Sequence, residues 1–271
     1  MEFDDFLREA APFLGLQWQP FRRKGVKRKV ERRFTQMGLS NFEEYLLRVK
    51  KDSEEQRLLS KIFTVTISRF FRDKKVFDTL RQYVFPDLLK GDRKELKIWS
   101  IGCASGEEPY SLSLVWKEAF ERSHSHIGLS LLATDIDEEM LKRAKEGKYK
   151  ESSLKEVPEE ILRKFFEREG EFYLLDEVIR ESTEFRRHDI LREEPFRGMD
   201  IIFCRNLAFT YFSKERRTEV LKKIASSLKE RGYLVIGRDE SLPLTYPTLF
   251  VPTHSEEKIY QRFPSGFCRQ R

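Results

Sequence analysis

Cysteine, histidine and long apolar runs are scarce in this chain of 271 residues, and each scarcity excludes a class of protein. The three cysteines lie far apart and form no CxxC pair, which excludes a disulfide scaffold and a cysteine-based zinc site. The four histidines are scattered and form no HExxH motif, so we expect no metal site. No run comes near the roughly 18 apolar residues of a membrane-spanning helix. The acidic start MEFDDFLREA is unlike a signal peptide, so we expect a cytoplasmic protein without membrane insertion.

Charged and aromatic residues are abundant instead. Charged residues make up 36% of the chain and phenylalanine occurs 23 times, a composition that excludes both a disordered chain and an integral membrane protein. The 52 basic and 46 acidic residues nearly balance, and a net charge of +6 does not by itself indicate a nucleic-acid partner. The length suits one large domain or two modest ones, with enough chain to bury a sizeable core.

Basic residues concentrate in one short segment, 22–33, which reads RRKGVKRKVERR. Val26, Val30 and Phe34 recur at intervals of four residues, a spacing that predicts an amphipathic helix with a basic outer face, ending near Gly38. This face is either a solvated surface or a docking site for an acidic partner, such as a glutamate-rich helix of another protein. Nucleic acid is not expected, because no helix-turn-helix or stacking-aromatic motif lies nearby.

The predicted elements indicate two kinds of architecture along the chain. Helical patterns fill the first part, and from LKIWSIG onward strands and helices alternate. That alternation predicts an α/β fold, with a small N-terminal helical domain and linker at 1–73 and a doubly wound, mostly parallel sheet at 74–271. Short extended pieces without an intervening helix predict a small antiparallel insert at about 171–187. The helix that begins in KERRTEV is expected to continue to Gly232.

Small and acidic residues follow the first two predicted strands of the sheet, where ligands of open α/β sheets bind. The turn Gly102–Gly106 is followed by Glu107 and Glu108, which suit a helix start but also place carboxylates at the mouth of the sheet. The second strand ends at Asp135. This acid is placed to accept both hydroxyls of a ribose, or to cap the next helix, a role that Asp137 could fill instead.

The same turn narrows the class of cofactor. It contains no GxGxxG motif and no Walker lysine, which argues against a dinucleotide and a triphosphate. The remaining common candidate is S-adenosylmethionine, whose sulfonium is positively charged and suits acidic residues at the turn. A third predicted strand ends in Arg205 and Asn206, which are polar just where the sheet opens.

Five segments of the chain resemble the CheR family, the chemoreceptor glutamate O-methyltransferases. In family order they are VERRFTQMGLSNFEEYLLRV, TVTISRFFRD, IWSIGCASGEEPYSLSL, ATDIDEEMLKRAKEGKY and FCRN. The segment that contains GEEPYS is close to the most specific signature of that family. The resemblance extends from about residue 18 to residue 262 and so covers nearly all of the chain.

The resemblance implies S-adenosylmethionine as the cofactor, S-adenosylhomocysteine as the product and a class I methyltransferase-like sheet. It implies cofactor-binding roles for ten residues: Thr66, Ser68, Arg72, Gly102, Glu108, Asp135, Asp189, Ile190, Arg205 and Asn206. It also implies catalytic roles for Arg72, which would orient the acceptor carboxylate, and for Tyr211, near the reactive methyl. A glutamate carboxylate has a pKa of about 4.3 and is ionised at neutral pH, so methyl transfer to it needs no general base.

The chain departs from the family pattern in several places. Family members usually have asparagine where Thr66 and Asp189 stand, and one extra residue after FCRN displaces Tyr211 in register. The antiparallel insert is also short, so we expect no tether to the C-terminal peptide of a receptor.

The predicted activity is methyl-ester formation on protein glutamates. The expected substrate is an acidic helical protein, such as the cytoplasmic domain of a chemoreceptor, docked on the basic helix at 22–33. The alternatives are a CheR-like methyltransferase that acts on another protein or a small molecule, and a non-catalytic S-adenosylmethionine-binding module.

Overall fold

The computed structural model describes residues 1–63 and 68–264, which form two compact units. One unit comprises the residues up to 63 together with Asn206–Glu219, and the other comprises 68–205 and 220–264. Within the described residues, no helix is both long and apolar enough to cross a membrane. The sequence-based boundary at residue 73 stays a prediction.

The N-terminal unit is helical. Its helices and one 3-10 turn are Phe3–Phe13, Gln19–Phe21 (the turn), Lys24–Gln36, Phe42–Lys51, Ser53–Phe63 and the short Ala208–Tyr211. The predicted basic helix is confirmed: it ends at Gln36, and Val26, Val30 and Phe34 are buried. These three side chains face the core because a spacing of four residues keeps them on one face of a helix.

A buried carboxylate joins three helices of this unit. Glu55 accepts hydrogen bonds from Nε of Arg33 at 2.9 Å and from the hydroxyl of Tyr45 at 2.6 Å. The hydrogen-bonded guanidinium of Arg33 lowers the pKa of Glu55, against the opposing effect of burial. Arg33 is therefore part of the internal packing, and it does not belong to the outer basic face.

The second unit contains ten strands in two sheets. In chain order they are β1 Glu95–Ile101, β2 Gly128–Asp135, β3 Lys148–Lys150, β4 Phe166–Glu169, β5 Phe172–Leu175, β6 Thr183–Arg187, β7 Met199–Cys204, β8 Leu228–Ile236, β9 Phe250–His254 and β10 Ile259–Arg262. The larger sheet has the order β6-β2-β1-β7-β8-β10-β9, with β10 antiparallel to both neighbours and the first five strands parallel. All six residues of β7 are buried, as expected for a central parallel strand covered on both faces. The predicted fold class is confirmed.

The second unit also contains helices. They are Lys74–Thr79, which continues through a π-helical turn at Leu80–Val84 into Phe85–Leu88, then Glu107–Ala119, Glu138–Glu146, Glu159–Phe165, Glu177–Glu181 and Lys214–Ser227, with 3-10 turns at Glu151–Ser153 and Tyr246–Thr248. Of the helix Lys214–Ser227, the residues from Val220 onward belong to this unit. Pro86 lies inside the first of these helices and is the second residue after the π-helical turn. A proline has no N–H to donate, and a wider turn is one way in which a helix accommodates it.

The antiparallel insert lies earlier in the chain than predicted. The smaller sheet has the order β3-β5-β4, with antiparallel pairs throughout. The predicted segment 171–187 therefore contributes only β5 to it. The helix Glu177–Glu181 follows, and β6 pairs in parallel with β2 at the edge of the larger sheet. Strands of three to five residues show too little alternation to be assigned to one sheet or the other from sequence.

The expected extension of the last helix to Gly232 was wrong. That helix ends at Ser227, and Leu228 begins β8 by pairing with Met199. A Cβ at Gly232 would lie 3.0 Å from the carbonyl oxygen of Asp200, so this glycine permits close strand approach and does not stop a helix. Strand pairing here overrides the helix propensity of the LKER sequence.

Candidate functional site

The turn between β1 and helix Glu107–Ala119 contains three left-handed residues. Gly102, Ala104 and Gly106 have φ angles of 74°, 47° and 90°. A Cβ at Gly106 would lie 3.0–3.2 Å from the side chains of three neighbours, so a larger residue does not fit at this helix start. The N–H groups of Gly102 and Cys103 donate to the carbonyl oxygen of Thr134 at 2.8 and 3.0 Å. These bonds hold the turn against the end of β2.

Asp135 extends from the end of β2 toward this turn. Its Oδ2 accepts the N–H of Ala104 at 2.9 Å, and its Oδ1 accepts the N–H of Asp137 at 2.9 Å. Burial raises the pKa of the Asp135 carboxyl, and the two backbone hydrogen bonds oppose that rise. Asp137 caps helix Glu138–Glu146 by accepting the N–H of Glu139 at 3.1 Å. The helix-capping alternative for Asp135 is thereby resolved in favour of Asp137.

The two glutamates that begin helix Glu107–Ala119 have different partners. Both carboxylate oxygens of Glu107 accept from the hydroxyl of Ser105 at 3.0 Å, and the hydroxyl of Ser68 also donates to this carboxylate. Glu108 accepts from the hydroxyl of Ser100 at 2.8 Å and from Nη1 of Arg205 at 3.2 Å. Burial raises the pKa of Glu108, and the positive charge of Arg205 opposes the rise. Ser68 is thus paired with Glu107, and Arg205 is paired with Glu108.

Arg205 is the buried centre of this site, with only 3% of its side chain exposed. Besides Glu108, it donates from Nη2 to the carbonyl oxygen of Arg72 at 3.0 Å and to Oδ2 of Asp73 at 2.5 Å. Its Nε is buried and has no hydrogen-bond partner within the described residues. The guanidinium of Arg205 therefore links two carboxylates to the backbone at Arg72. The side chain of Arg72 is itself exposed, and its positive charge also opposes the rise in the pKa of Glu108.

Asp189 and Ile190 lie in the loop that follows β6. The N–H of His188 donates to the carbonyl oxygen of Asp135 at 3.1 Å, which places this loop beside the end of β2. Asp189 uses Oδ1 to accept the N–H of Leu191 at 2.9 Å. Burial leaves only 12% of its side chain exposed.

Lys223 anchors the same loop, and sequence reasoning did not single it out. Its ammonium donates to the carbonyl oxygens of Ile190, Leu191 and Glu193 at 2.9, 3.1 and 3.1 Å. Lys223 lies some thirty positions further along the chain, on a helix rich in lysine and arginine, so no local signal distinguished it. Asp73 was missed for a similar reason, because its partner Arg205 lies 132 positions away. Ser100 was also missed, although its partner Glu108 is only eight positions away.

Three predicted site residues are not among the described residues of the second unit. Asn206 and Tyr211 belong to the N-terminal unit. The ring of Tyr211 is 9% exposed and stacks on Phe21 at a centroid distance of 5.5 Å, and Phe21 stacks on Phe63 at 4.6 Å. Thr66 lies outside the described residues. The cofactor-binding and catalytic roles of these three, as of the other predicted site residues, stay predictions.

No group of three or more histidine, cysteine, aspartate or glutamate side chains is arranged to hold a metal ion in 1–63 or 68–264.

Comparison with known proteins decides the family. The model of the CheR methyltransferase, SAM binding domain, matches residues 66–259. The chain belongs to the CheR methyltransferase family. A chemotaxis protein methyltransferase of Listeria innocua is 33% identical over 237 residues, which cover 88% of each chain. The corresponding protein of Borreliella burgdorferi is 32% identical and covers 76% of this chain and 75% of its own length. Chemotaxis protein methyltransferase 1 of Pseudomonas aeruginosa is 32% identical, with 80% and 81% covered.

This CheR-family protein is an S-adenosylmethionine-dependent methyltransferase, and its site fits that cofactor. The Asp135 carboxylate can accept from ribose hydroxyls, and the Glu108 carboxylate can accept from an ammonium group. The N–H at Nε of Arg205 is buried and has no partner within the described residues, so it can donate a hydrogen bond to an oxygen of a bound ligand. The bound cofactor supplies a methyl group activated by the positive charge of its sulfonium, and carboxylates beside the turn favour that charge.

Asp135→Asn should weaken cofactor binding without unfolding the site. The amide keeps an oxygen for a backbone N–H but loses the charge that strengthens bonds to ribose hydroxyls. We expect the affinity for S-adenosylhomocysteine to fall by about 1–3 kcal/mol, the range for losing a hydrogen bond to a charged group. Titration calorimetry measures this change. Asp137→Asn is the matched control, because it removes the same charge two residues away. It should leave the affinity for S-adenosylhomocysteine unchanged. The same affinity in the Asp135 and Asp137 variants would contradict the role of Asp135.

Proposed function

We propose that this methyltransferase forms methyl esters on glutamate side chains in the cytoplasmic domain of chemoreceptors, and that it acts in the cytoplasm. The observation that carries the proposal is the exposed guanidinium of Arg72, close to the Glu108–Arg205 pair. A planar guanidinium fork suits a carboxylate acceptor. The names of the relatives, which are chemotaxis protein methyltransferases, support a receptor substrate.

The residues divide into two groups in this proposal. The cofactor is held by the following residues: Thr66, Ser68, Arg72, Gly102, Glu108, Asp135, Asp189, Ile190, Arg205 and Asn206. Arg72 and Tyr211 serve the acceptor, with Arg72 as the group that orients its carboxylate. A glutamate is already ionised at neutral pH, so the chain needs to bind, orient and exclude water, and it needs no general base.

Transfer of labelled methyl groups tests this function. The enzyme is incubated with labelled S-adenosylmethionine and a purified cytoplasmic fragment of a chemoreceptor, and the product is then treated with base. Methyl esters release methanol in base, whereas N-methyl groups do not, so base-labile label on the receptor is the expected result. A receptor fragment with its acceptor glutamates replaced by alanine is the control. A receptor fragment that stays unlabelled, while a cell lysate added in its place does become labelled, would contradict a receptor substrate.

The basic helix Lys24–Gln36 is the proposed docking surface for the receptor. Arg28, Lys29 and Arg32 are exposed on it, whereas Arg33 is held by Glu55. An exposed cluster of one sign attracts an acidic helical partner over several ångströms and increases the rate of encounter.

Reversing the charge of this face should weaken methylation of the receptor selectively. With Arg28, Lys29 and Arg32 changed to glutamate, we expect a higher KM for the receptor and an unchanged affinity for S-adenosylhomocysteine. The effect should be smaller at high salt, because exposed charges are screened within about 8 Å at 0.15 M ionic strength. Steady-state kinetics at two salt concentrations measure it.

Three exposed basic residues of the second unit provide a charge-matched control. Lys90, Lys94 and Arg197 are exposed, and the latter two shortly precede the amino ends of β1 and β7, away from the strand ends that carry the site. Their change to glutamate alters the net charge equally and should leave the KM unchanged. Equal effects of the two triple variants would show that overall charge matters and that the helix is only a solvated surface.

We also propose that the small antiparallel sheet does not tether a receptor's C-terminal peptide. Its strands have only three or four residues each, which supports this view. Removing the C-terminal peptide from a receptor substrate should leave its methylation rate unchanged.

A further inference from the structure

Asp73 stands at the start of a helix but does not cap it. It is the N-cap residue of helix Lys74–Thr79, where an aspartate ordinarily accepts an N–H from the first helical turn. Within the described residues its carboxylate makes no such bond, and Oδ2 accepts from Nη2 of Arg205 at 2.5 Å. The carboxylate is therefore directed away from its own helix and toward the site.

The backbone around Arg72 has an uncommon conformation. Phe71 and Asp73, which flank it, have φ angles of 53° and 60° although neither is glycine. Left-handed backbone is unfavourable for a bulky side chain such as phenylalanine, and it persists only where the surroundings hold it. The direction of the Arg72 side chain therefore depends on the contacts that hold its two neighbours.

Contacts on both sides fix this short segment. On one side, the N–H of Phe71 donates to the hydroxyl of Ser111 at 2.9 Å in the interior. On the other side, Nη2 of Arg205 donates to the carbonyl oxygen of Arg72 at 3.0 Å and pairs with Asp73. One guanidinium nitrogen thus binds two groups, the peptide unit after Arg72 and the carboxylate of the next residue.

We propose that Asp73 is a positioning residue, which through its pair with Arg205 holds the backbone of Arg72 so that the exposed guanidinium faces the acceptor carboxylate. The inference rests on the proposed function, in which Arg72 orients a glutamate. A guanidinium fork binds a carboxylate through two parallel hydrogen bonds, so its orientation matters as much as its charge. A backbone that rotates freely at residue 73 would lose that orientation while keeping the charge.

Two substitutions separate the effect of the Asp73 carboxylate from the effect of the left-handed backbone at this position. Asparagine and glycine both tolerate left-handed backbone, so Asp73→Asn and Asp73→Gly remove the charge without adding strain. We expect both variants to bind S-adenosylhomocysteine within about threefold of wild type and to lose about tenfold in kcat for the receptor. We also expect faster amide hydrogen exchange in the peptide that covers residues 68–79. Asp176→Asn is the control, because that aspartate does cap its helix, accepting the N–H of Val178 at 2.8 Å.

A double variant tests whether Asp73 acts through Arg72. If it does, Arg72→Ala combined with Asp73→Asn should lose no more turnover than Arg72→Ala alone. Independent, multiplicative losses would overturn the inference, as would unchanged kcat in both Asp73 variants or unchanged hydrogen exchange. A wild-type enzyme that fails to esterify the receptor would contradict the proposed function instead, and the exchange measurement would still report whether Asp73 holds the segment.

Discussion

Arg72→Ala should lower turnover of the receptor substrate by about 100-fold and should lower the affinity for S-adenosylhomocysteine by a smaller factor. Misplacing a reacting group by about 1 Å can lower a rate by about that factor, and Arg72 is the exposed cation that can orient the acceptor. An interaction that matters mainly in the transition state lowers kcat more than it lowers ground-state binding. Single-turnover kinetics and calorimetry measure the two quantities separately.

Two further variants make this result specific. Arg72→Lys keeps the charge but not the fork, so we expect it to restore little of the lost turnover. Arg69→Ala removes another exposed guanidinium three residues earlier and should behave like wild type. If Arg72→Ala loses thermal stability and activity in parallel, Arg72 is a structural residue and the catalytic assignment is wrong.

Arg205→Met should destabilise the protein by about 3–5 kcal/mol, the range for removing one partner of a buried ion pair. The guanidinium is almost fully buried, and its removal leaves the carboxylates of Glu108 and Asp73 without their shared cation. We expect a value near the lower end, because Asp73 keeps 28% of its side chain exposed and can still be hydrated. Urea unfolding at neutral pH measures the change.

The pH dependence of this variant identifies the cause. Burial raises the pKa of Glu108, and the charge of Arg205 opposes that rise, so the pKa should increase further in Arg205→Met. A carboxyl whose pKa is raised by folding takes up a proton more readily in the folded state. The loss of stability should therefore shrink as the pH falls through the raised pKa of Glu108. A loss that is independent of pH would indicate that packing, and not unpaired charge, is responsible.

Arg163→Met is the matched control for this experiment. Arg163 pairs with Glu159 at 3.6 Å in the same unit, but 70% of its side chain is exposed. Exposed ion pairs contribute about 0–1 kcal/mol, so this variant should unfold almost like wild type. Comparable destabilisation by both substitutions would contradict the central role of Arg205.

The positions of the proposed cofactor-binding residues at strand ends could be predicted from sequence. β1, β2 and β7 are strongly apolar segments, and in a parallel sheet their carboxyl ends meet at one edge. Glu108, Asp135 and Arg205 follow from that rule and from the family resemblance. Each strand end is defined by a few consecutive residues, so the sequence around it was sufficient to predict its position.

Weak local signals explain the errors. β3, β4, β5 and β6 have three to five residues each, and sheet membership of such short strands depends on partners far along the chain. Ser227 ends a helix whose propensity continues past it, because strand pairing at Leu228 is the stronger interaction.

The sequence by itself determined the family, the parallel sheet, the basic helix and the residue types at the strand ends, because each depends on periodicity or on a contiguous motif. Only the tertiary structure decided which side chains pair. The partners of Arg205 are 97 and 132 positions away, and those of Lys223 are about 30 positions away. Asp73 shows the distinction most directly. An aspartate at this position ordinarily caps its helix, but its carboxylate pairs instead with the buried guanidinium of Arg205, which follows the end of β7. The pair is favoured because an unpaired buried charge is far less favourable than an uncapped helix.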